Sequence, residues 1–117
     1  MAKPYIPNRG DIVWVELDPQ VGREQAGRRP ALVLSEHSYN RSTGLAVCCP
    51  ITSQQKFYPF EVELPTGLPI SGVILSDHIK SIDIPGRIQK HICTAPDEVL
   101  ARVVKRITLL ISASKQS

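Results

Sequence analysis

The sequence predicts a mainly β domain with added helices (α+β), in which about seven short strands form a small barrel and one amphipathic helix follows. Short apolar runs separated by Gly, Pro, Asn and Ser recur as far as Cys93, which is the pattern of a small β-barrel. Beyond that point the apolar period lengthens to that of a helix. The 117 residues contain no linker, repeat or low-complexity segment, so residues 1–117 are predicted to form a single domain.

The predicted elements of the first half are separated by polar turns. Asp11 to Leu17 alternates, with apolar residues on nearly both faces, and predicts the first strand. Ala31 to Ser35 is a continuous apolar run that suits a central strand. His37 to Gly44 indicates a short helical turn or loop. Leu45 to Thr52 is the third predicted strand, and Pro50 within it favours an edge or a bulge.

Four further strands are predicted in the second half. Phe60 to Leu64 alternates strictly between apolar and acidic residues. Pro65 to Gly72 is rich in proline and glycine and is predicted to be a loop. Gly72 to Leu75, Ile79 to Ile84 and Arg87 to Cys93 complete the predicted set of strands.

The last element has helical periodicity. Its apolar face carries Val99, Leu100, Val103, Val104, Ile107, Leu110 and Ile111, and the opposite face carries Arg102, Lys105 and Arg106. Thr94 is the candidate N-cap, and Pro96, Asp97 and Glu98 suit a first helical turn. We expect this helix to cover an open end of the barrel or an interface.

Composition and charge are those of a folded soluble protein, with 42% hydrophobic and 21% charged residues. The net charge of +3 is compatible with an anionic partner without requiring one. The first residues contain no apolar signal core, and no apolar run approaches a membrane span. We therefore expect a cytoplasmic protein that does not associate with membranes.

Cysteine and histidine patterns give no sign of a disulfide scaffold or a metal site. Cys48, Cys49 and Cys93 are an odd set without framework spacing or a neighbouring histidine, so we predict small buried thiols in strands. No carboxylate cluster with metal-ligand spacing and no glycine-rich phosphate loop between a strand and a helix is present. The sequence predicts neither a metal nor a cofactor.

A polar segment with glycines at positions 22 and 27 is the strongest functional signal from the residues themselves. These glycines permit sharp bends, so the segment between them suits a mobile lid. Arg28 and Arg29 stand at the entry to a strand, and guanidinium groups match phosphate oxygens in pairs. Glu24 lies close enough in sequence to orient an arginine or accept a proton. The alternative is a solvated hairpin loop whose ion pairs have little consequence.

Four motifs occur in order along the chain: Gly10-Asp11-Ile12-Val13-Trp14-Val15, then Gly22-x-Glu24-Gln25-x-Gly27-x-Arg29-Pro30-Ala31-Leu32-Val33-Leu34-Ser35, then Pro50-Ile51-Thr52-Ser53, then Tyr58-Pro59-Phe60-Glu61-Val62. Together they resemble the MazF/PemK family of toxins from bacterial toxin–antitoxin systems, and the likeness extends from Tyr5 to Ile111. The resemblance implies an SH3-like barrel with added helices that acts as a homodimeric endoribonuclease, or mRNA interferase.

The resemblance also implies a reaction, a partner and site residues. Family members cut single-stranded RNA at short sequences without a metal, leaving a 2′,3′-cyclic phosphate and a 5′-hydroxyl, and a cognate MazE-like antitoxin inhibits them. The catalytic arginine of the family falls on Arg29, its catalytic threonine on Thr52, and the glutamate of its mobile loop on Glu24. Segments 53–59 and 65–71 are where family members vary, so RNA sequence preference is expected to depend on them.

The predicted chemistry assigns each of these residues a role. Attack by the 2′-hydroxyl of the substrate needs a base, a positive or hydrogen-bonding group at phosphorus, and an acid at the departing 5′-oxygen. Arg29 suits the second role, and the Thr52 hydroxyl can donate to a non-bridging oxygen. Arginine is a poor proton carrier because its pKa lies above about 12. We expect Arg29 chiefly to stabilise the transition state, with protonation of the leaving group as a second role open to it. Glu24 is expected to assist as the base or to orient Arg29.

Nine further residues are predicted to contact RNA: Arg23, Gln25, Arg28, Ser53, Gln54, Lys56, Tyr58, Asp77 and Lys80. Lys56, Phe57 and Tyr58 offer charge and aromatic rings for base stacking, although Tyr58 also suits the core. Asp77 equally suits a turn-stabilising role. The three histidines lie in separate segments, and their spacing does not pair them for catalysis.

A second function from a different class is also consistent with the residues. The chain would then be a non-enzymatic toxin, similar to CcdB, that binds and poisons a protein target such as DNA gyrase. Such a toxin would not need Arg29 and Thr52 together. A bare RNA-binding barrel without activity is a third alternative.

Overall fold

The computed structural model describes residues 5–17 and 27–112 of the chain, which form seven strands and three helices. The strands are β1 (Asp11–Leu17), β2 (Gly27–Val33), β3 (Leu45–Thr52), β4 (Glu61–Glu63), β5 (Val73–Leu75), β6 (Lys80–Asp83) and β7 (Ile88–Thr94). The helices are α1 (His37–Thr43), α2 (Ile84–Arg87) and α3 (Asp97–Ile111). No helix among these residues is both long and apolar enough to cross a membrane.

All seven strands belong to one antiparallel sheet with the order β4-β5-β3-β2-β1-β7, and β6 also pairs with β3. The prediction of seven strands followed by a helix is confirmed. Among the described residues no pairing joins β4 to β7, so the sheet is open and the term barrel describes it only loosely. Sequence periodicity indicates strands but does not determine whether the two outer strands meet.

The strands bury apolar side chains on both faces of the sheet. Alternation along β1 places Ile12 in one buried cluster and Val13 and Val15 in the other. The first cluster includes Ile12, Leu32, Cys49, Ile51, Val62, Ile74, Val99 and Val103, and the second includes Val13, Val15, Ala31, Val33, Ala46, Cys48, Ile82 and Ile84. The sheet is therefore covered by α3 on one side, where Val99 and Val103 are buried.

Strand β2 begins earlier than predicted. It starts at Gly27, and its register against β1 pairs Arg28 with Glu16 and Arg29 with Val15. The two arginines therefore lie within a strand rather than in the loop that precedes it. Strand β3 has the predicted bounds, but Pro50 is opposite Ala31 of β2 and does not lie in an edge strand.

The helices differ from the prediction mainly at their ends. Helix α1 is confirmed, and it ends at Gly44, whose φ of 73° is the left-handed conformation typical of a helix C-cap. Helix α2 is a single turn that the sequence analysis missed. Thr94 is the last residue of β7 and not an N-cap, because α3 begins at Asp97 and Pro96 occupies its cap position.

The apolar face of α3 is covered only towards its N-terminus. Val99 and Val103 are buried, and Leu100 and Ile107 pack partly against the first cluster. Leu110 and Ile111 remain 47% and 71% exposed. The helix was expected to cover an open end of the barrel or an interface, and the structure shows its first half packed on the first buried cluster.

The cysteines are free thiols in strands, and the prediction that they are buried is confirmed for two of the three. Cys48 and Cys49 are buried in β3, whereas Cys93 in β7 is partly exposed. Burial raises the pKa of Cys48 and of Cys49 to about 12. Both thiols are therefore protonated at neutral pH and carry little nucleophilic character.

A buried asparagine joins three segments that are distant in sequence. Asn40 in α1 is fully buried, and its Nδ2 donates to the carbonyl oxygens of Pro7, at 2.9 Å, and Ser35, at 3.1 Å. Its Oδ1 accepts a hydrogen bond of 2.5 Å from the Ser35 hydroxyl, whose oxygen accepts from the Val47 amide at 2.8 Å. This network fixes the N-terminal segment, the β2–α1 turn and β3 to one another.

We predict that Asn40→Ala lowers the free energy of unfolding by about 2–4 kcal/mol, because it leaves buried donors and acceptors without partners. Urea unfolding followed by circular dichroism measures this change. Asn8→Ala is the matched control, since Asn8 is exposed, and it should change stability by no more than about 0.5 kcal/mol. Equal effects of the two substitutions would contradict the role assigned to the Asn40 network.

Candidate active site

A polar groove lies where β2 and β3 approach the loop before β5. Its volume is about 450 Å³. It is lined by Trp14, Arg28, Arg29, Pro30, Ile51, Thr52, Ser53, Gln54, Pro69, Ile70 and Ser71. Residues from four separate segments of the sequence therefore form one concave surface.

The register of β2 and β3 brings Arg29 and Thr52 to the same part of the sheet. Ala31 is opposite Pro50 in this antiparallel pair. The same register, continued by two residues, places Arg29 opposite Thr52 and on the same face of the sheet. Both side chains are partly exposed, and both residues line the groove. The Arg29 guanidinium and the Thr52 hydroxyl can therefore both contact the same ligand group in the groove.

Arg28 is positioned by an aromatic ring. Its Cζ lies 4.6 Å from the centre of the Trp14 ring, which is a cation–π arrangement. Trp14 is opposite Pro30 in the β1–β2 register, so Arg28 reaches it along the diagonal between the two strands. The stacked guanidinium remains exposed and has a restricted orientation, which favours phosphate binding through its N–H groups.

The Thr52 hydroxyl is oriented by the chain that follows it. The amide of Gln54 donates to Thr52 Oγ1 at 3.1 Å. Because the oxygen accepts this bond, the hydroxyl hydrogen is available for donation to a ligand in the groove. Thr52 is therefore suited to hydrogen-bond an anionic oxygen.

Gly72 fixes the opposite wall of the groove against the end of β3. Its φ is 130°, and a Cβ added to it would lie 2.3 Å from the carbonyl oxygen of Thr52. Its own carbonyl accepts a 3.0 Å hydrogen bond from the Leu64 amide. Only glycine permits this close approach, which holds residues 69–71 beside Thr52.

The connector between β3 and β4, residues 53–59, is organised by Glu61. The Glu61 carboxylate accepts hydrogen bonds from the Lys56 amide, at 3.1 Å, and from the Phe57 amide, at 2.8 Å. Phe57 and Tyr58 are 81% and 60% exposed. The alternative interpretation of Tyr58 as a core residue is therefore wrong.

The structure places the predicted residues in three groups. Arg28, Arg29, Thr52, Ser53 and Gln54 all line the groove. Lys56 and Tyr58 belong to the adjacent connector, whereas Asp77 and Lys80 lie outside the groove lining. Arg23, Glu24 and Gln25 fall outside the described residues.

Six groove residues are not among the predicted site residues: Trp14, Pro30, Ile51, Pro69, Ile70 and Ser71. The sequence did carry a signal for Trp14, because it shares a strand face with Glu16 and is therefore expected to be partly exposed. A partly exposed tryptophan near arginines is typical of a ligand site. Residues 69–71 belong to segment 65–71, which the resemblance linked to RNA sequence preference. No local pattern placed them beside Thr52, because their position depends on the contact between Gly72 and Thr52.

The histidines do not line the groove. His91 Nε2 lies 3.6 Å from Oδ1 of the buried Asp11, and His78 Nε2 lies 3.8 Å from Oδ1 of the neighbouring Asp77. His37 is the first residue of α1. These positions agree with the prediction that the histidines are not a catalytic pair.

Comparison with known proteins gives one consistent family. The sequence pattern of one protein family, described as the PemK-like, MazF-like toxins of type II toxin–antitoxin systems, matches residues 8–111. The endoribonuclease toxin MazF of Escherichia coli K12 is 45% identical over 111 residues, which cover 95% of this chain and 99% of that protein.

Solved structures agree with the sequence comparison. MazF (Form-I) from Deinococcus radiodurans has a TM-score of 0.87 at 49% identity, covering 93% of this chain and 99% of its own. MazE-MazF (Form-II) from the same organism has a TM-score of 0.84 at 47% identity, covering 94% and 99%. The similarity therefore includes nearly the whole fold.

We predict that Gly72→Ala lowers the free energy of unfolding by about 3 kcal/mol or more, because the new methyl group collides with the Thr52 backbone. Amide chemical shifts of Thr52 and Gln54 should also move. Gly67→Ala is the matched control, since Gly67 also has a positive φ, 97°, but an added Cβ there meets nothing within 4 Å. It should lower stability by about 1 kcal/mol and leave the shifts of Thr52 unchanged. A loss at Gly72 no larger than at Gly67 would contradict the close-approach argument.

Proposed function

Because the chain belongs to the PemK-like, MazF-like toxin family of type II toxin–antitoxin systems, we propose that it is the toxin of such a pair and acts as an endoribonuclease. The similar proteins from E. coli and Bacillus subtilis are named endoribonucleases, which supports this activity. The single observation that carries the proposal is the groove in which Arg28, Arg29 and Thr52 converge.

The proposed reaction is metal-independent transesterification of single-stranded RNA. The 2′-hydroxyl oxygen attacks the adjacent phosphorus and loses its proton to a base, while the bond from phosphorus to the 5′-oxygen breaks and that oxygen gains a proton from Arg29 or from solvent. The products are a 2′,3′-cyclic phosphate and a 5′-hydroxyl. Negative charge increases on the non-bridging oxygens, where preorganised donors lower the barrier.

The groove supplies donors for these oxygens. Arg29 is permanently charged and stabilises the transition state at phosphorus. The Thr52 hydroxyl, whose oxygen already accepts from Gln54, donates to a second non-bridging oxygen. Arg28 over the Trp14 ring binds a neighbouring phosphate, and Ser53 and Gln54 offer polar contacts on the same side of the groove.

Proton transfer from the 2′-hydroxyl requires a group other than arginine. Glu24 is our proposed base, or the residue that orients Arg29, although it lies outside the described residues. A carboxylate near neutral pH is fully ionised and can accept this proton.

The antitoxin is proposed to inhibit by covering the groove. Solved MazE-MazF complexes from Deinococcus radiodurans are close structural neighbours, which supports an antitoxin partner for this chain. The arginines favour an acidic, extended segment of the antitoxin as the part that binds the groove.

A homodimer also stays a prediction. Its candidate surface is the end of α3, where Leu109, Leu110 and Ile111 are exposed.

We predict that the purified protein cuts a long single-stranded RNA in EDTA at discrete sites and leaves cyclic-phosphate ends. Arg29→Ala and Thr52→Val should each lower the cleavage rate by about 10²–10³-fold, since each removes a donor to the phosphate. Mapping of the new RNA ends measures both the activity and the recognition sequence.

The matched control for this experiment is Arg41→Ala, which removes an exposed arginine of α1 that does not line the groove, and it should leave the rate unchanged. Thr52→Ser should retain most of the activity because it keeps the hydroxyl. Intact RNA from a well-folded wild-type protein would overturn the proposal and favour a non-enzymatic toxin that acts on a protein target.

We predict that Glu24→Gln slows single-turnover cleavage by about 10²–10⁴-fold if the carboxylate is the base. The wild-type rate should then fall below about pH 4–5, where a glutamate is protonated, and the variant should lack this acid limb. A slower variant that keeps the acid limb would assign Glu24 to orienting Arg29. An unchanged rate would exclude both roles.

A further inference from the structure

We propose that Phe57 is a base-stacking residue that holds the RNA strand beside the cleavage groove and sets the path of the substrate across the connector. This inference rests on the proposed function and deepens it. It starts from a side chain whose backbone and exposure are both unusual.

Phe57 is the only non-glycine residue with a positive φ, 63°, in the part of the chain that the structure describes. A bulky residue in this conformation is strained by about 1 kcal/mol or more. The ring gains no compensating burial, since it is 81% exposed. Neither backbone preference nor packing explains a phenylalanine here, so the ring is better explained by a ligand that covers it.

The backbone that carries the ring is held in place before any ligand binds. Glu61 Oε1 accepts hydrogen bonds from the amides of Phe57, at 2.8 Å, and Lys56, at 3.1 Å. The Glu61 amide in turn donates to the Tyr58 carbonyl at 3.1 Å. These bonds close the connector into a compact turn, so little conformational entropy is lost when a base stacks on Phe57.

The surroundings of Phe57 contain two arginines as well as two carboxylates. It lines a second groove of about 320 Å³ together with Tyr58, Arg102 and Arg106 of α3, and the acidic residues Glu61 and Glu63. The Glu61 carboxylate is engaged by backbone N–H groups, which offset its charge. Two guanidinium groups beside two exposed aromatic rings are the arrangement that binds single-stranded nucleic acid.

Both arginines line the second groove, Arg102 as an exposed side chain and Arg106 as a partly exposed one. The Nε of Arg106 is buried, and no described residue accepts a hydrogen bond from it. Arg102 Nη2 lies 3.9 Å from Glu98 Oε2 in an exposed pair, which is weak in water. An RNA phosphate is a stronger acceptor for either guanidinium.

The second groove is continuous with the cleavage groove along the chain. Thr52, Ser53 and Gln54 line the first groove, and Gln55, Phe57 and Tyr58 line the second. Phe57 is five positions after Thr52, so their Cα atoms lie within about 18 Å of each other. This distance is within the reach of one short RNA strand, and the proposed path puts its reacting phosphate at Thr52 and a neighbouring base on Phe57.

The test uses Phe57→Gly, because glycine removes the ring and relieves the backbone strain at the same position. We expect the Kd for RNA to rise about tenfold, the size of effect that loss of one stacked base produces. The KM for cleavage should rise in parallel, with kcat unchanged and thermal stability equal to or above that of the wild type. Phe57→Trp should restore tight binding.

Binding is measured by fluorescence anisotropy with a labelled RNA of twelve nucleotides that contains the mapped cleavage site and is 2′-O-methylated throughout. Replacement of single nucleotides by abasic ones should reveal one position at which wild-type affinity falls and Phe57→Gly affinity does not. Tyr39→Ala is the control, since it removes an exposed aromatic of α1 that lines neither groove.

An unchanged Kd in Phe57→Gly would overturn the inference. Weaker binding of the antitoxin with unchanged RNA affinity would also overturn it and would assign Phe57 to a protein interface. A wild-type protein that cuts no RNA would refute the proposed function instead. The Kd comparison, made then with a mixed-sequence strand of the same length, would still decide the role of Phe57.

Discussion

The pairing of β3 with three other strands is the constraint on which the rest of the structure depends. On one side it pairs with β2, and on the other it pairs first with β6, from Leu45 to Cys48, and then with β5, from Ile51. Pro50 lies in the gap between these two partners, where a residue without an N–H group is tolerated. This change of partner directs β5 and β4 away from β6 and leaves Thr52 at the edge of the groove.

Stability and chemistry are located in different parts of the same sheet. The buried clusters fix the middle of β1, β2 and β3, and the Asn40 network joins β3 to the N-terminal segment and to the turn after β2. The polar side chains of the groove lie where that pairing ends, at Arg28, Arg29 and Thr52. A rigid frame with polar groups at its margin positions those groups without burying them, and this preorganisation is what transition-state stabilisation needs.

Two residues with positive φ angles flank the site for different physical reasons. Gly72 has no room for a side chain, because the Thr52 carbonyl occupies the position of its Cβ. Phe57 has ample room and carries a large side chain in spite of the backbone strain. The first is explained entirely by the folded structure, whereas we attribute the second to a ligand. Glu61, which forms hydrogen bonds to the connector amides, keeps that strained turn closed.

The sequence by itself determined the local elements and the family. Strand alternation, the helical period from Val99 to Ile111 and the turn residues predicted six of the observed strands closely, because these patterns reflect local backbone preference and burial. The motifs around Arg29 and Thr52 identified the family for the same local reason. Only the tertiary structure decided that the sheet is open and that Arg28 and Arg29 lie within β2. It also brought Trp14 and residues 69–71 into the groove. These features depend on register and close approach between distant segments, which no local pattern in a single sequence specifies.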